Sequence, residues 1–383
     1  MPLPANDSRA LAWLTLIRAP GLGPTRIRAL LERAGDVERA LALPEVEWTK
    51  IGASAAALAW RRAPDRARLD ADLAWLSAPD HHLIGCDSAD FPALLARTAQ
   101  APAALFVAGD PDLLWRAQIA IVGSRNPSAG GADNARDFAR TLARSGLAIT
   151  SGLADGIDAA AHRATLDAGA VTIAVVGTGP DLVYPAKHRA LAAQIQAQGA
   201  IVSEYPPGTE ARREHFPRRN RVIAGLSLGT LVVEAALQSG ALITARLGAE
   251  AGREVFALPG SIHNPLAKGC HRLIREGAAL VETAQEIIEA LTPQAAQLAT
   301  ALRGRLALTP DTSPDVRADA DDTEPADPDY ARLWRALDHA PSGIDVLAER
   351  TGLTVEALSS MLLLMELDGR VSAAHGRYAK RRS

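Results

Sequence analysis

The sequence predicts an α/β protein built around a doubly wound, mainly parallel sheet, with a helical domain before it and a winged helix-turn-helix after it. Three observations predict this organisation. The beginning of the chain has helical periodicity, the middle alternates short apolar runs with amphipathic stretches, and the end combines helical patterns with a hairpin pattern. A chain of 383 residues is long enough for two or three such domains.

Apolar residues recur at spacings of three and four through residues 8–80. This spacing places them on one face of a helix. The clearest helical patterns are "SRALAWLTLIRA", "PTRIRALLERA" and "DRARLDADLAWL". We therefore predict an N-terminal helical domain over residues 1–84.

From about residue 118 the apolar runs become short, and helical patterns such as "ADNARDFARTLARSG" and "KHRALAAQIQAQG" separate them. Strands that alternate with helices form a parallel sheet with helices on both faces. We therefore predict an α/β domain over residues 85–292. Its predicted strands are 119–123, 147–150, 171–176, 200–203, 230–235 and 254–259.

Residues 293–329 are predicted to be an acidic, disordered linker, because residues 309–329 carry eight acids and one arginine. Residues 330–383 contain three short helical patterns and the hairpin-like stretch "RVSAAHGRYAKRR", which predict a winged helix. The net charge of the chain is −3, and the segment 309–329 contributes −7 of it, which leaves +4 for the remainder. The folded parts are therefore mildly basic and suit an anionic partner.

The composition is that of a globular protein, with 48% apolar and 22% charged residues. The start of the chain lacks the pattern of a secretory signal, and no run approaches 18 uncharged apolar residues. Two cysteines, Cys86 and Cys270, are too few for a disulfide framework or a four-cysteine zinc site. We expect a cytoplasmic protein without a membrane span, a metal or a cofactor.

Ligands of an open parallel sheet bind beyond the carboxyl ends of its strands, so the loops at these ends are the candidate site. The stretch "IAIVGSRNPSAGG" leaves its strand at Gly123, presents Ser124 and Arg125, and then begins a helix. The free amides of a helix N-terminus favour an anion. An ordinary strand-to-helix turn is the alternative.

The next strand end, "ITSGLADGIDAAAHRATL", supplies Ser151 and Gly152, followed by Asp158 and His162 one helical turn apart. The latter two are conceivable metal ligands. We favour a structural interpretation, in which Asp158 serves the helix N-terminus and His162 packs locally, since no third or fourth ligand is evident.

The following two strand ends add a further set of glycines, polar side chains and an aromatic residue. These are Gly177, Gly179, Tyr184, Lys187, Ser203 and Glu204. Lys187, His188 and Arg189 stand at a helix start, where basic side chains oppose the helix dipole unless an anion shares the site. A solvated surface turn is the alternative.

Residues 215–235, "HFPRRNRVIAGLSLGTLVVEA", place Phe216 and three arginines ahead of an apolar run. We predict that Arg221 points inward and that Arg218 and Arg219 point outward. Alternatively, any one of these arginines neutralises Glu204 or Glu234 in a buried ion pair.

Together with Arg125 and Lys187, these arginines exceed what structural pairing requires, so an anion-binding crevice is predicted. The sequence has no dinucleotide fingerprint, phosphate loop, H-E-x-x-H motif or nucleophile elbow. Basic groups from successive strand ends suit a polyphosphate chain, and Tyr184, Tyr205 and Phe216 can stack bases at about 1–3 kcal/mol each. No catalytic residue is assigned. The predicted DNA-binding residues are Gly123, Ser124, Arg125, Ser151, Gly152, Gly177, Gly179, Tyr184, Lys187, Ser203, Glu204, Phe216, Arg218, Arg219 and Arg221.

Several of these motifs, including "IVGSRNPS", "SGLADGIDAAAH", "VVGTGPDLVYPAKHRAL", "SEYPPG" and "HFPRRNRVIAGLS", resemble the DNA-processing protein A (DprA/Smf) family in order and spacing over about residues 85–285. The resemblance implies an extended Rossmann-like domain that binds single-stranded DNA and forms a homodimer. It also implies the recombinase RecA as a partner, loaded onto incoming strands during natural transformation. By motif match, the DNA pocket would be lined by Ser124, Arg125, Gly179, Lys187, Glu204 and Arg221. Pro180 departs from the leucine more usual in the family.

Two further resemblances concern other parts of the chain. Residues 19–35, "APGLGPTRIRALLERAG", resemble half of a helix-hairpin-helix, whose turn amides hold phosphates without reading sequence. A plain helical turn is the alternative. For the C-terminal winged helix, contact with a protein and contact with duplex DNA are both open. A sequence-specific transcription regulator is a less favoured interpretation.

An enzyme is the competing hypothesis. Gly229, Thr230 and Glu234 are similar to the G-T-x-x-E segment of nucleotide phosphoribohydrolases of the lysine-decarboxylase-like group, where the glutamate would assist cleavage of a glycosidic bond. The preceding "GLSL" departs from the Pro-Gly-Gly turn of that group. Release of free base from a nucleoside monophosphate would distinguish this enzyme from a DNA-binding protein.

Overall fold

The computed structural model describes residues 5–308, 328–338, 342–355, 358, 361–362, 365, 371–374 and 377–380. The chain divides into two compact units, Met1–Leu306 and Ala307–Ser383. Within the described residues, no helix has both the length and the apolar character that a membrane span requires.

The first part of the larger unit is a bundle of short helices, as the periodicity predicts. Side chains of Asp36, Ser54 and Asp65 accept backbone N–H groups and so cap the third, fifth and sixth helices. The helices enclose buried Trp13, Leu30 and other apolar residues. They are α1 (Ala5–Arg18), α2 (Pro24–Ala34), α3 (Val37–Ala42), α4 (Glu45–Lys50), α5 (Ala55–Arg62) and α6 (Arg66–Leu76).

A nine-stranded sheet follows the bundle. Its strands are β1 (His81–Gly85), β2 (Ala104–Gly109), β3 (Gln118–Val122), β4 (Ala148–Ser151), β5 (Thr172–Val176), β6 (Ala200–Ser203), β7 (Gly229–Val232), β8 (Glu254–Ala257) and β9 (Ala279–Leu280). Their order in space is β1-β2-β6-β5-β4-β3-β7-β8-β9. The seven strands from β6 to β9 in this order run parallel, whereas β1 and β2 form an antiparallel edge. The six predicted strands are confirmed, whereas the edge pair and the two-residue β9 were not predicted.

Helices cover both faces of this sheet. They are α7 (Ala93–Ala96), α8 (Ala129–Arg144), α9 (Ile157–Asp167), α10 (Arg189–Gln198), α11 (His215–Leu226), α12 (Ala241–Glu250), α13 (Lys268–Arg275) and α14 (Ala284–Leu308). Ile119 and Ile121 of β3 join one core cluster with α8, α9 and α14. Ala120 and Val122 join another with α11, α12 and α13. Because successive side chains of a strand point to opposite faces, the two clusters lie on opposite sides of the sheet and the fold is doubly wound.

The order of the strands reverses between β3 and β7. The chain runs outward from β3 through β4, β5 and β6, and then returns to place β7 on the other side of β3. In such sheets the loops at the carboxyl ends of the two central strands separate and leave a crevice. The fold therefore puts a binding site between the loops that follow Val122 and Val232.

The C-terminal unit has the winged-helix arrangement that the sequence predicts. Its core contains Leu333, Leu347, Leu358 and Val371. Its elements are α15 (Pro328–Ala336), α16 (Ile344–Thr351), further helical residues at 355, 358, 361–362 and 365, and the strands β10 (Ser342–Gly343), β11 (Val371–Ala374) and β12 (Arg377–Lys380), ordered β10-β12-β11.

The predicted linker needs a correction at its beginning. Residues 293–308 belong to α14, which contains Pro293 and packs the buried Leu298 against the sheet. This segment is rich in alanine, leucine and glutamine, and these good helix formers together with the apolar contact outweigh the proline. Residues 309–327 lie outside the described residues, and the domain limits of 84/85 and 329/330 remain predictions.

Two loops at the crevice touch at a glycine. Gly156, at the start of α9, has a φ of 77°, and a Cβ atom there would lie 2.3 Å from the backbone oxygen of Ser124. The amide of Ile157 donates to the same Ser124 oxygen at 3.1 Å. A side chain at position 156 would therefore push apart the loops after β3 and β4.

We expect Gly156→Ala to lower the free energy of unfolding by at least about 2 kcal/mol, since it combines an unfavourable φ with an overlap. Gly169→Ala is the matched control, because Gly169 has a φ of 68° and a methyl group added there would meet no atom within 4 Å. The control should cost only about 1 kcal/mol. Equal losses in urea unfolding would contradict the role of the close approach.

Candidate nucleic-acid interface

A cavity of about 480 Å³ lies at the reversal point of the sheet. The loop after β3, the start of α9, the first two turns of α11 and the start of α12 form its walls. Among the predicted site residues, those that line it are Gly123, Ser124, Arg125, Phe216 and Arg219. Asn126, Asn220 and Gln238 also line it, although they were not predicted. Asn220 stands between two of the singled-out arginines, which is the one sequence signal that pointed to it.

The loop after β3 holds Arg125 at the mouth of this cavity. The Ser124 amide donates to the Glu234 backbone oxygen at 2.7 Å, and the Ser124 hydroxyl accepts the Asn126 amide at 3.1 Å. Arg125 is exposed, and its guanidinium carbon lies 6.0 Å from the centre of the Phe216 ring. No acid within the described residues forms an ion pair with Arg125. The guanidinium is therefore available to an anion.

Two aromatic rings extend this surface. Tyr184 and Phe216 lie 5.4 Å apart between ring centres, and Tyr184 is 52% exposed. A large aromatic side chain that is half exposed beside an available guanidinium is the combination that stacks unpaired bases next to their phosphates. Tyr205 lies apart from this pair and stacks on His215 at 4.0 Å.

The three arginines of α11 take three different environments. Arg218 is exposed, and no acid of the described part of the chain pairs with it. Arg221 pairs with Glu204 and donates to the backbone oxygen of Gln100 at 2.7 Å, so the predicted alternative of a structural pair holds for this arginine. The prediction that Arg219 points outward is wrong.

Arg219 is buried, with 6% of its surface exposed. Its Nη1 atom donates to the Gly152 oxygen at 2.6 Å and to the Val175 oxygen. Burial lowers its pKa to about 10, against the opposing charge of Asp158, so the group stays protonated at neutral pH. Arg219 thus links α11 to the ends of β4 and β5. The contact is close, because a Cβ atom at position 152 would lie only 2.6 Å from its guanidinium.

Lys187 also has a protein partner. Its Nζ atom lies 2.8 Å from Asp155 Oδ1, and the buried His188 contacts the same oxygen at 2.8 Å. The hydrogen bond from Lys187 is the main reason why the pKa of Asp155 is lowered. Asp155 was not among the predicted site residues, because its partner lies 32 positions away in the sequence. The lysine remains 66% exposed and so can still meet a ligand.

The remaining predicted residues shape the loops from inside. The Ser151 and Ser203 side chains are fully buried, and their hydroxyls donate to the backbone oxygens of Ile121 and Thr178. Gly179 is buried where a Cβ atom would fall 2.7 Å from the Pro206 oxygen. Gly177 faces Phe216 at 3.2 Å from its missing Cβ. These residues position the rim, and their contribution to DNA binding remains a prediction.

Asp158 and His162 have the structural roles that we favoured. Asp158 is buried and accepts the amides of Gly152 at 3.0 Å and Ala154 at 3.4 Å, while burial raises its pKa. No group of three metal-ligating side chains occurs among the described residues. Since the Thr172 hydroxyl donates to a backbone oxygen, it accepts from Nδ1 of His162 at 2.7 Å, which places a ring proton on Nδ1.

Glu234, the glutamate of the enzyme hypothesis, is turned away from the cavity. It is 8% exposed and accepts the amide of Ser128 at 2.8 Å and its hydroxyl at 2.6 Å. The Ser128 hydroxyl in turn caps α8 by accepting the Gly131 amide at 3.0 Å. The carboxylate therefore accepts the hydrogen bonds of the serine that caps α8. Glu234 does not line the cavity where a nucleotide would lie.

The chain is similar to several known proteins over most of its length. The family model described as DNA recombination-mediator protein A matches residues 82–292, and models described as a DprA-like N-terminal HHH domain and a DprA winged helix domain match residues 7–63 and 317–377. The chain is 43% identical over 318 residues to Protein Smf of Escherichia coli, which covers 83% of this chain and 82% of that protein. It is 46% identical over 198 residues to DNA processing protein DprA of Streptococcus pneumoniae, covering 52% and 70%.

Two solved structures are similar in fold and sequence. The X-ray structure of DNA processing protein A from Streptococcus pneumoniae has a TM-score of 0.67 and 36% identity, over 76% of this chain and 98% of that one. A Helicobacter pylori structure, described as giving insights into the single-stranded DNA binding mode of DNA processing protein A, has a TM-score of 0.50 and 29% identity, over 53% and 94%.

The buried imidazole of His162, on α9, makes stability depend on pH. Burial lowers the pKa of His162 to about 3, from an ordinary value of about 6.5 in the unfolded chain. Below pH 6.5 the unfolded state therefore binds a proton that the folded state does not, so stability is present above this pH and is lost as the pH falls.

We expect the wild-type protein to lose about 2 kcal/mol more free energy of unfolding between pH 7 and pH 5 than His162→Asn, whose amide can donate the same bond to Thr172. Urea unfolding at both pH values measures the difference. Parallel losses in the two proteins would show that His162 titrates normally in the fold.

Proposed function

Because the chain belongs to the DNA-processing protein A (DprA/Smf) family, we propose that the cavity at the sheet reversal and its rim bind single-stranded DNA. The observation that carries this proposal is the row of Arg125, Phe216 and Tyr184 at the mouth of the cavity. It offers an unpaired guanidinium for a phosphate and two ring faces for bases. Binding by the Helicobacter pylori relative supports the same ligand.

The chemistry of the row favours an unpaired strand over a duplex. Bases in a duplex are stacked on one another, so an aromatic ring reaches their faces only when the strand is single. Tyr184 projects from the surface beside the cavity, where a separated base can lie against it. The guanidinium at 6.0 Å from Phe216 is close enough for the base and its phosphate to belong to one nucleotide.

For the biological role, we propose that the protein protects incoming single strands and loads RecA recombinase onto them in natural transformation or recombination. The description of the matching family as a recombination mediator supports this role. Homodimer formation, which the family resemblance implies, and a cytoplasmic location, which the two cysteines and the absence of a membrane-span pattern favour, belong to the same proposal.

We further propose that the protein makes and breaks no bond in the bound strand. The nucleotide phosphoribohydrolase hypothesis requires an accessible Glu234, whereas this carboxylate is occupied by Ser128 and lies behind the cavity wall. The polar groups that remain in the cavity are side-chain amides and hydroxyls, Arg125, and the buried Asp158 and Arg219. None of the described lining side chains is placed as an accessible general base for attack on a glycosidic bond.

Removing the unpaired charge should weaken binding and its salt dependence together. We expect Arg125→Ala to lower single-strand affinity roughly tenfold, uniformly across sequences, and to reduce the log–log salt slope by about 0.7. Fluorescence anisotropy with labelled single strands over a salt series measures both. Arg140→Ala is the control, since Arg140 lies near the other end of α8 and pairs with Asp137 at 2.9 Å. An unchanged slope in Arg125→Ala would remove this residue from the interface.

Removing the exposed ring should weaken binding without changing its salt dependence. We expect Tyr184→Ala to weaken single-strand binding by about 1–3 kcal/mol while the salt slope stays the same, because stacking releases no counterion. Tyr184→Phe keeps the ring and should bind like the wild type. Loss of binding in both variants would assign the effect to the hydroxyl group and contradict stacking.

A further inference from the structure

A second, larger cavity adjoins the first one. It is a groove of about 1150 Å³ between the helical bundle and the sheet domain. One wall is the turn between α1 and α2 with its glycines Gly21 and Gly23, and the opposite wall is the exposed side of α11 and the loop before it. Small apolar residues such as Ala99 and Ala101 form part of its floor.

Helix α11 separates the two cavities and contributes side chains to both. His215 and Arg218, three positions apart, face the groove, whereas Phe216 and Arg219 face the cavity at the sheet reversal. A chain that leaves the first cavity past Phe216 therefore reaches the groove by crossing the first turn of α11. The two spaces therefore border each other across α11.

The groove is positively charged on balance. Four arginines line it, Arg28, Arg212, Arg218 and Arg221, against the two glutamates Glu32 and Glu204. Arg221 and Glu204 neutralise each other, which leaves three arginines and one exposed acid. Burial lowers the pKa of His215, so this ring is neutral at neutral pH and adds no charge.

Two donors in the groove lack acceptors. The Nη1 atom of Arg28 is buried, and no acceptor within the described residues hydrogen-bonds to it. The Gly23 amide, directly ahead of α2, likewise has no acceptor in the described part of the chain. Gly23 is exposed, and the N-terminus of α2 carries the positive end of the helix dipole with no acid in its first turn. Arg28 lines the groove, and its guanidinium has hydrogen-bonding capacity that the described residues leave unused.

We propose that a single strand held at the sheet reversal continues over the first turn of α11 into this groove, where its phosphates contact Arg28, Arg218 and the N-terminus of α2. This inference rests on the proposed function, because it extends the same strand. The phosphodiester backbone is the occupant that matches a groove with surplus guanidiniums, a helix N-terminus and a small apolar floor. The helix-hairpin-helix-like turn thereby acquires a defined partner.

The test is a length series of labelled single strands from about 4 to about 16 nucleotides, measured with the full-length protein. Wild-type affinity should rise in two stages, as the strand first fills the cavity and then reaches the groove. Arg28→Ala should leave the shortest strands unaffected, weaken the longest about threefold to tenfold, and lower their salt slope by about 0.7. Arg33→Ala, on the same helix but outside the groove and paired with Glu47, is the matched control.

A second variant guards against a folding defect in Arg28→Ala. Thr25 is exposed, lines the groove and lies in the first turn of α2. Thr25→Glu places a carboxylate where it favours the helix dipole, so the fold should keep its stability while long strands bind several-fold more weakly. Thr25→Gln, of the same size without the charge, should bind long strands like the wild type.

The outcomes separate the two proposals. Equal losses at all lengths, no loss at any length, or loss of duplex binding in place of single-strand binding would overturn the groove path. If the wild-type protein binds no single strand, or if Arg125→Ala has no effect on the shortest strands that bind, the proposed function fails instead.

Discussion

The position of Arg125 depends on the contacts that Glu234 makes across the reversal of the sheet. Glu234 follows β7, yet its backbone oxygen holds the Ser124 amide, and its carboxylate holds Ser128 at the start of α8. One residue thus joins the loops after the two central strands. Glu234 also leaves no room for a larger residue at two neighbouring positions, because a Cβ atom at Gly123 or Gly131 would lie within 3 Å of it. The crevice that the topology opens is fixed in width by this residue.

The buried guanidinium of Arg219 is the second group, after Glu234, that holds the walls of the crevice together. An isolated buried charge is costly, but here backbone oxygens of Gly152 and Val175 accept its hydrogens, and Asp158 lies close enough to oppose the fall of its pKa. Asp158 also accepts the Gly152 amide. The ends of β4 and β5 and the middle of α11 are consequently tied together by polar contacts. A wall built in this way keeps Phe216 and Arg218 in place on either side of α11.

The fold was more predictable from the sequence than the site. The parallel strands β3 to β7 are short apolar runs buried along their whole length, so composition marks them, whereas the parallel strand β9 has two exposed residues and was not predicted. The edge strand β1 begins with the histidines His81 and His82 and has half-buried positions, which resemble a loop. The orientation of the arginines could not be predicted, because positions 218, 219 and 221 spread over most of a helical turn and both sides of α11 border a cavity. The Glu204–Arg221 pair was foreseen as an alternative since few acids lie near the crevice, whereas the Asp155–Lys187 contact depends on tertiary structure.

Pairing changes how the proposed interface would attract a polyanion. An arginine within a few ångströms of a carboxylate acts on a distant phosphate as a dipole, and its field is further screened over a Debye length of about 8–10 Å. Arg221 and Lys187 therefore stabilise the loops more than they add to the long-range attraction. The attraction comes from the arginines without acid partners in the described part of the chain, such as Arg125 and Arg218, and the stacking surface of Tyr184 and Phe216 supplies a share that salt does not screen. Neither guanidinium–phosphate contact nor ring stacking depends on base identity, so the proposed interface would accept a strand of any sequence.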